Sequence, residues 1–438
     1  MSPCSKLRRL TCGDDDAGDG KMFPNWASLH QGLVELIGCR VLAGDLHDYV
    51  RFRAVCSHWS ASTARPRGRG VLDPRFHPRR WMMLPEGHGL HPGHPDLCGF
   101  VRFFNLDTGA FARAHLPLLA DHVVVDVVDG LLLLHRNDDT AIGLLHPFSG
   151  DVAEFLPLAS LLPQMEPQPS YYSERTKRSM LMRVRASVTV TSSGAITLVL
   201  ALDLLHRVAY ATAGDQRWTL SAWKLRLFLK PVSFQGKLYA YQLSSFDIGK
   251  VYIYQLDPPC ADAGDGQPRL PLPVKIAECP KDKLCFILHF VECCSELLLV
   301  SYNDVSFSKL LVYRVADLVS GKIEPVTDIG DHTLFIGDRS LCVSLSPNKG
   351  SRTSSFPSMS PNSIVCMPNL TDPYSEMFYR FEQYDLSTGI WTPASDGDVF
   401  RRPPPSPHRL IHHIFTSCHY DYWNKGSMYC CGSETQAT

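Results

Sequence analysis

The chain has little of what marks a secreted, membrane-spanning or nucleic-acid-binding protein. Residues 1–21 carry Arg8 and Arg9 but then Asp14, Asp15 and Asp16 where a secretory signal needs an apolar stretch, so a solvated, disordered leader is expected. The most apolar segments, His122 to His135 and Leu284 to Val300, are broken by Asp126 and Asp129 and by His289, Glu292 and Glu296, so neither reads as a membrane span. Charge of one sign is missing too: 43 lysines and arginines face 44 acidic residues, leaving no net field to draw the chain to nucleic acid or an anionic membrane. The 15 cysteines form no repeating framework and no Cys-x-x-Cys pair, and the neighbours Cys293/Cys294 and Cys430/Cys431 cannot readily bridge each other. Reduced thiols in cytoplasm or nucleus are expected. Phosphate-binding glycine loops, a Gly-x-Ser-x-Gly elbow and a His-Glu-x-x-His helix are likewise absent.

What is present is the composition of a soluble globular protein, 45% hydrophobic and 20% charged over 438 residues, enough for two folded units. Leu29, Leu33, Leu36, Ile37 and Val41 recur at helical spacing, and Ser28 with Gln31 suggests a capping box, predicting a helix from Leu29 to Leu42 interrupted by Gly32 and Gly38. Asp45 offers a cap for a second helix running through Phe52, Val55 and Cys56 toward Trp59. Residues 64–80 turn to Arg, Pro and Gly and read as a hydrated linker. Beyond Trp81, short apolar or alternating runs separated by turn residues predict strands, among them Trp81 to Leu84, Phe100 to Leu106, Val123 to Val128, Leu131 to Leu134, Ala195 to Leu202, Val251 to Leu256 and Leu297 to Tyr302. A weak repeat, a strand ending in a polar turn with glycine, occurs at Leu106–Gly109, His146–Gly150, Leu318–Gly321 and Leu386–Gly389. The spacing of the first two glycines, about forty residues, is the period of a propeller blade and predicts six to seven blades.

Groups able to do chemistry do not converge in the sequence. His88, His91, His94 and Cys98 are donors that zinc accepts, as are His408, His412, His413, Cys418 and His419, but neither set has a recognised metal spacing, and no metal or cofactor is expected. Asp126, Asp129 and Glu154 could supply the paired carboxylates of a glycosidase, but Asp129-Gly130 reads as a hairpin turn. A carbohydrate-active propeller enzyme is thus a minor alternative to a non-catalytic protein.

Two strings resemble known families. Trp26-Ala27-Ser28-Leu29-His30-Gln31-Gly32-Leu33, Ile37, Asp45 and Arg51-Phe52-Arg53-Ala54-Val55-Cys56-Ser57-His58-Trp59 resemble the F-box, with His30 where that motif has proline and Gly32 where it has an acidic residue. His332-Thr333-Leu334-Phe335-Ile336-Gly337-Asp338-Arg339-Ser340, Cys342-Val343-Ser344, Pro361-Asn362-Ser363-Ile364 and Tyr384-Asp385-Leu386-Ser387-Thr388-Gly389 resemble the KIB-type β-propeller that accompanies F-boxes in a large plant family. The resemblance implies a small all-α helical module (residues 22–63) followed by an all-β propeller (81–395) and a Pro-rich tail (396–438).

It further implies the substrate-recognition subunit of a cullin-RING ubiquitin ligase. Leu29, His30, Leu33, Ile37, Val41 and Leu42 would bind a Skp-type adaptor and through it a cullin, Trp26, Phe52, Val55 and Trp59 would form the module's core, and the propeller would bind an unknown target protein. An interaction scaffold whose degenerate F-box no longer binds an adaptor is the alternative implied by His30 and Gly32.

Overall fold

A computed structural model describes residues 26–84, 99–164, 184–202, 207–224, 228–243, 250–261, 268–280, 288–303, 308–337, 339–345, 359–366 and 382–394, together with Ile411, Ile414, Ser417 and Cys418. The chain divides into two compact units, 1–64 and 65–438. The expected leader and the His88, His91, His94 and Cys98 cluster lie outside the described residues.

The first unit is helical. A single 3-10 turn, Trp26–Ser28, precedes helix α1 (Gln31–Gly44), followed by α2 (Leu46–Arg53) and α3 (Ser57–Ala61). Helix α1 starts two residues later than the capping-box reading placed it, because His30 and not Ser28 is the cap: its Nδ1 accepts from the Gly32 N–H at 3.2 Å. Asp45 caps α2 as its residue type dictates, Oδ1 accepting from His47 N at 2.8 Å and Asp48 N at 3.0 Å. The expected single helix to Trp59 is broken after Arg53, and a new turn begins at Cys56, whose Sγ accepts from Trp59 N at 3.4 Å. Val34, Gly38, Leu42, Leu46 and Tyr49 are buried between these helices.

The second unit is a β-propeller, with six blades among the described residues. Blade 1 holds β1 (Trp81–Met83), β2 (Phe100–Asn105) and β3 (Phe111–His115). Blade 2 holds β4 (His122–Val128), β5 (Leu131–Arg136), β6 (Ile142–Leu145) and β7 (Val152–Phe155). Blade 3 holds β8 (Val184–Val190), β9 (Ile196–Leu202), β10 (Arg207–Thr212) and β11 (Thr219–Leu220). Blade 4 holds β12 (Phe228–Phe234), β13 (Lys237–Leu243), β14 (Lys250–Leu256) and β17 (Val274–Pro280), with β15 (Cys260–Ala261) and β16 (Pro268–Arg269) forming a two-stranded arm. Blade 5 holds β18 (Leu288–Cys293), β19 (Glu296–Tyr302) and β20 (Leu310–Arg314), and a short helix, α4 (Val315–Val319), follows it. Blade 6 has the order β22-β21-β23-β24-β25, from β21 (His332–Phe335), β22 (Leu341–Ser344), β23 (Ser363–Cys366), β24 (Glu382–Asp385) and β25 (Trp391–Pro393), with β21 and β23 parallel.

Strands buried on both faces read as continuous apolar runs, which is why β4 and β5 are nearly all Val and Leu. Their side chains fill the seams between blades. Trp81 and Phe103 pack with Leu132 and Leu145, and on the far face of blade 2 Leu133 and Leu144 pack with Leu198 and Trp218. Val199 and Val208 then meet Leu238, Tyr241 meets Leu299, and Val300 meets Leu334 and Ile364. The ring closes where Phe335 and Val365 of blade 6 meet Phe104 and Leu106 of blade 1, and Ile411, Ile414 and Cys418 are buried in that same seam. The Ser344 N–H also donates to the Leu106 carbonyl across it at 2.8 Å. Part of the stretch expected as an unassigned tail therefore completes the propeller core.

Three of the four glycine turns of the repeat share one device, Gly321 bonding instead to the Leu318 carbonyl three residues back. Gly109, Gly150 and Gly389 all sit at left-handed φ, 68°, 76° and 71°, and each N–H returns to the carbonyl four residues back. That fourth-back residue, Asn105, His146 or Asp385, also accepts a main-chain N–H with its side chain.

Residues 65–80 are not a hydrated spacer. Val71, Phe76 and His77 are buried, and Asp151 of blade 2 accepts from Gly70 N at 2.8 Å and Gly68 N at 2.9 Å. Burial pushes the Asp151 carboxyl up, but hydrogen bonds from Gly70, Ser149 and Gly68 outweigh it and hold the pKa below the ordinary value. With the folded pKa below the unfolded one, the unfolded chain is protonated first, so this contribution is complete above about pH 4 and is lost as pH falls further. Asp151→Asn is expected to flatten the acid limb of stability in urea unfolding between about pH 2 and pH 5. Superimposable acid limbs in wild type and variant would remove Asp151 from this account.

Candidate functional site

Helix α1 is apolar on two faces. One stripe, Val34, Gly38 and Leu42, faces inward; a second, Leu33, Leu36 and Ile37 at i, i+3 and i+4, lies outward with exposures of 50%, 62% and 36%. A globular helix normally keeps its outer face polar, so this second apolar stripe is unusual; Trp26, Val50 and Val55 of the same unit are exposed too. The inner stripe is narrow because Gly38 permits a close approach: a Cβ there would lie 2.9 Å from Thr63 Cγ2 and 3.2 Å from Phe52 Cε1.

The adaptor-facing residues inferred from the sequence separate. Leu33 and Ile37 are on the outward stripe and His30 is exposed at its start, Leu29 and Val41 are half-buried, and Leu42 is buried within the module itself. Of the expected core, Phe52 and Trp59 are half-buried with ring centroids 4.4 Å apart, whereas Trp26 and Val55 are exposed. Trp26 still ties the module together through its main chain, its carbonyl accepting from Trp59 Nε1 at 3.1 Å. Leu36 and the buried Val34 and Tyr49 are plain apolar positions in the sequence, but which of them face inward is set by how the helices of the module pack together.

In the propeller, all six blades contribute to a small chamber of about 120 Å³. Arg79 and Arg80 line it beside β1, Asp126 and Asp129 on blade 2, Arg185 on β8, Ser233 on β12, His289 and Glu292 on β18, and Arg339 beside β22. A register shift between Val124 and Asp126 marks a bulge, which re-aims side chains along an otherwise apolar strand. Asp126 is buried, its Oδ1 accepting from Val127 N and its Oδ2 from Ala186 N, both at 2.8 Å. Burial pushes the Asp126 carboxyl up and the Arg339 guanidinium down, each opposed by the other's charge and, at Asp126, by Arg185 as well. His289 Nδ1 lies 2.8 Å from the Gly337 carbonyl.

Small-molecule pockets usually measure about 300–1,000 Å³, so this chamber is better suited to a few waters than to a substrate. The three carboxylates weighed in the sequence do not meet: Asp126 and Asp129 line the chamber, whereas Glu154 lies in an open groove of about 390 Å³ with Arg136, Asp139 and Asp215. Of the second histidine cluster, His408, His412, His413 and His419 lie outside the described residues, and Cys418 is buried in the closing seam. The nine described cysteines are all free thiols, and no described helix is long and apolar enough to cross a membrane.

Six radially packed sheets around one chamber define a six-bladed β-propeller. A family model, the KIB1-4 beta-propeller, matches residues 103–392, and the chain belongs to that family. No curated protein matches the chain. Among solved structures, an exo-β-1,3-galactanase from Phanerochaete chrysosporium with β-1,3-galactotriose is similar at 12% identity and a TM-score of 0.25, over 55% of this chain and 63% of that one. The chain thus spans less than two thirds of that protein's length, and a likeness this shallow carries nothing about chemistry.

Proposed function

We propose that the chain is the substrate-recognition subunit of a cullin-RING ubiquitin ligase, its helical module docking on a Skp-type adaptor and its propeller holding a target protein in cytoplasm or nucleus. The observation that carries this reading is the outward stripe Leu33, Leu36 and Ile37, opposite a stripe already used for the module's own packing. The F-box-like string around it and membership of a propeller family suited to protein interaction support it further. The missing proline does not argue against it, since His30 supplies the cap at the helix start. The chain would contribute binding alone, raising the effective concentration of a target near a charged conjugating enzyme.

The full chain is tested for binding to a purified Skp-type adaptor by calorimetry, beside Ile37→Asp and Leu33→Asp. Each charge is placed on an exposed position, so folding is retained, and each is expected to weaken binding at least about 30-fold, the loss of a hot spot of about 2 kcal/mol or more. Failure of the folded wild-type chain to bind would remove the ubiquitin mechanism and leave an interaction scaffold.

A further inference from the structure

A cluster of thiols and an imidazole sits where blades 5 and 6 meet. The β18–β19 hairpin brings Cys293 opposite Glu296 and turns through Cys294 and Ser295, at φ 51° and 63°. Both turn residues are left-handed, as in the type I′ turn that ordinarily takes Asn-Gly, so this turn holds a cysteine in backbone that disfavours it. The strain has a geometric result. Cys294 Sγ lies 3.3 Å from His332 Nε2 and 3.9 Å from Cys293 Sγ, and Cys293 Sγ lies 2.9 Å from Cys342 Sγ. The donor atoms of Cys293, His332 and Cys342 all fall within 4.8 Å of one another.

The surroundings suit an ion. His332 Nδ1 is 3.0 Å from the Ile329 carbonyl, so a proton on Nδ1 donates there and leaves the Nε2 lone pair turned to the sulfurs, the outer hydrogen bond that metal-binding histidines make. Cys293 and Cys342 are buried and Cys294 is exposed, which gives the group a closed back and an open side. Arg80, ion-paired with Asp107, donates to the Cys342 carbonyl at 3.5 Å and so holds the main chain of one ligand strand in place.

We infer that Cys293, Cys294, Cys342 and His332 form a Cys3His site for zinc. Thiolate and imidazole donors select a borderline-soft dication over magnesium or calcium. Three thiol protons pass to solvent on binding, and no redox change occurs. With Zn–S bonds of about 2.3 Å, tetrahedral sulfurs stand about 3.7 Å apart, so the pair at 2.9 Å opens by under about 1 Å and the exposed Cys294 swings inward. A site joining the hairpin of blade 5 to two strands of blade 6 would clamp the seam next to the closing one.

The test is zinc content by mass spectrometry of the full-length protein, purified without chelator and dialysed, followed by exchange with cobalt(II). The expected result is one equivalent of zinc, and a cobalt form with visible bands and sulfur charge-transfer absorption of a tetrahedral thiolate site. Cys293→Ser and His332→Ala are each expected to lower zinc retention at least tenfold, with circular dichroism matching wild type. Cys260→Ser, which alters an exposed cysteine of the blade 4 arm, is expected to retain it. Full zinc in Cys293→Ser would place the metal elsewhere and overturn the assignment. So would a wild-type chain with free thiols that binds no cobalt, or an intact mass 2 Da low from a Cys293–Cys342 disulfide. If Cys293→Ser fails to fold, His332→Ala decides: full zinc in that folded variant overturns the assignment.

Discussion

Gly130→Ala is expected to destabilise the propeller by about 2–5 kcal/mol, the sum of a left-handed backbone position and a collision with main chain. Gly130 stands at φ 81°, and a Cβ there would lie 2.1 Å from the Pro78 carbonyl oxygen and 2.9 Å from the Arg79 nitrogen. Neither obstacle is the end of a flexible side chain, so relief means parting the β4–β5 hairpin from the chain that leads into β1. Asp129 beside it occupies φ 52° and bonds back to the same chain, its Oδ2 accepting from Arg79 Nη2 at 3.4 Å. Gly150→Ala is the control: φ is 76° there but nothing lies within 4 Å, so only the backbone cost of about 1–2 kcal/mol applies. Urea unfolding of both variants measures the difference. A midpoint for Gly130→Ala no lower than that for Gly150→Ala would show that the hairpin and the chain into blade 1 separate without consequence.

Asp126→Ala is expected to cost a further class of energy, about 3–5 kcal/mol, because it removes a buried carboxylate that Arg185 and Arg339 face. The Val127 and Ala186 N–H groups lose their acceptor, and Arg185 and Arg339 lose a counter-charge in a chamber with room for only a few waters. The double change Asp126→Ala with Arg339→Leu is expected to recover part of the loss, since it removes a buried cation along with its partner. A double variant as unstable as the sum of the single ones would show that Asp126 acts only as an acceptor for blades 2 and 3. Either result bears on why an acidic residue stands in a strand otherwise made of valine and histidine.

Much of the fold was legible because it is local. The strands Phe100 to Leu106 and Val123 to Val128 fall within a residue of β2 and β4, and the turns at Gly109, Gly150 and Gly389 declare themselves by residue type. Asp45 likewise announced the start of α2. The rest was set by partners distant in sequence. Nothing in the order of residues shows that β21 pairs with β23 in parallel, or that Ile414 fills a seam with Phe104. The helix cap was misplaced because serine is a common cap and histidine an uncommon one, while the inward side of α1, Val34, Gly38 and Leu42, is set by packing within the module. The chamber needed the bulge at Val125 and one residue or more from every blade, which no single motif carries.

Closure of the ring has a consequence for synthesis. Blade 1 lacks its final neighbour until the stretch containing Ile411, Ile414 and Cys418 has been made, because those residues share a seam with Met82, Phe104 and Leu106. Domains made from the N-terminus fold as units, and contacts of such long sequence separation form late. A ribosome-bound chain therefore carries an unshielded apolar edge on its oldest blade for nearly the whole of propeller translation, and that edge is where association between half-made chains would begin.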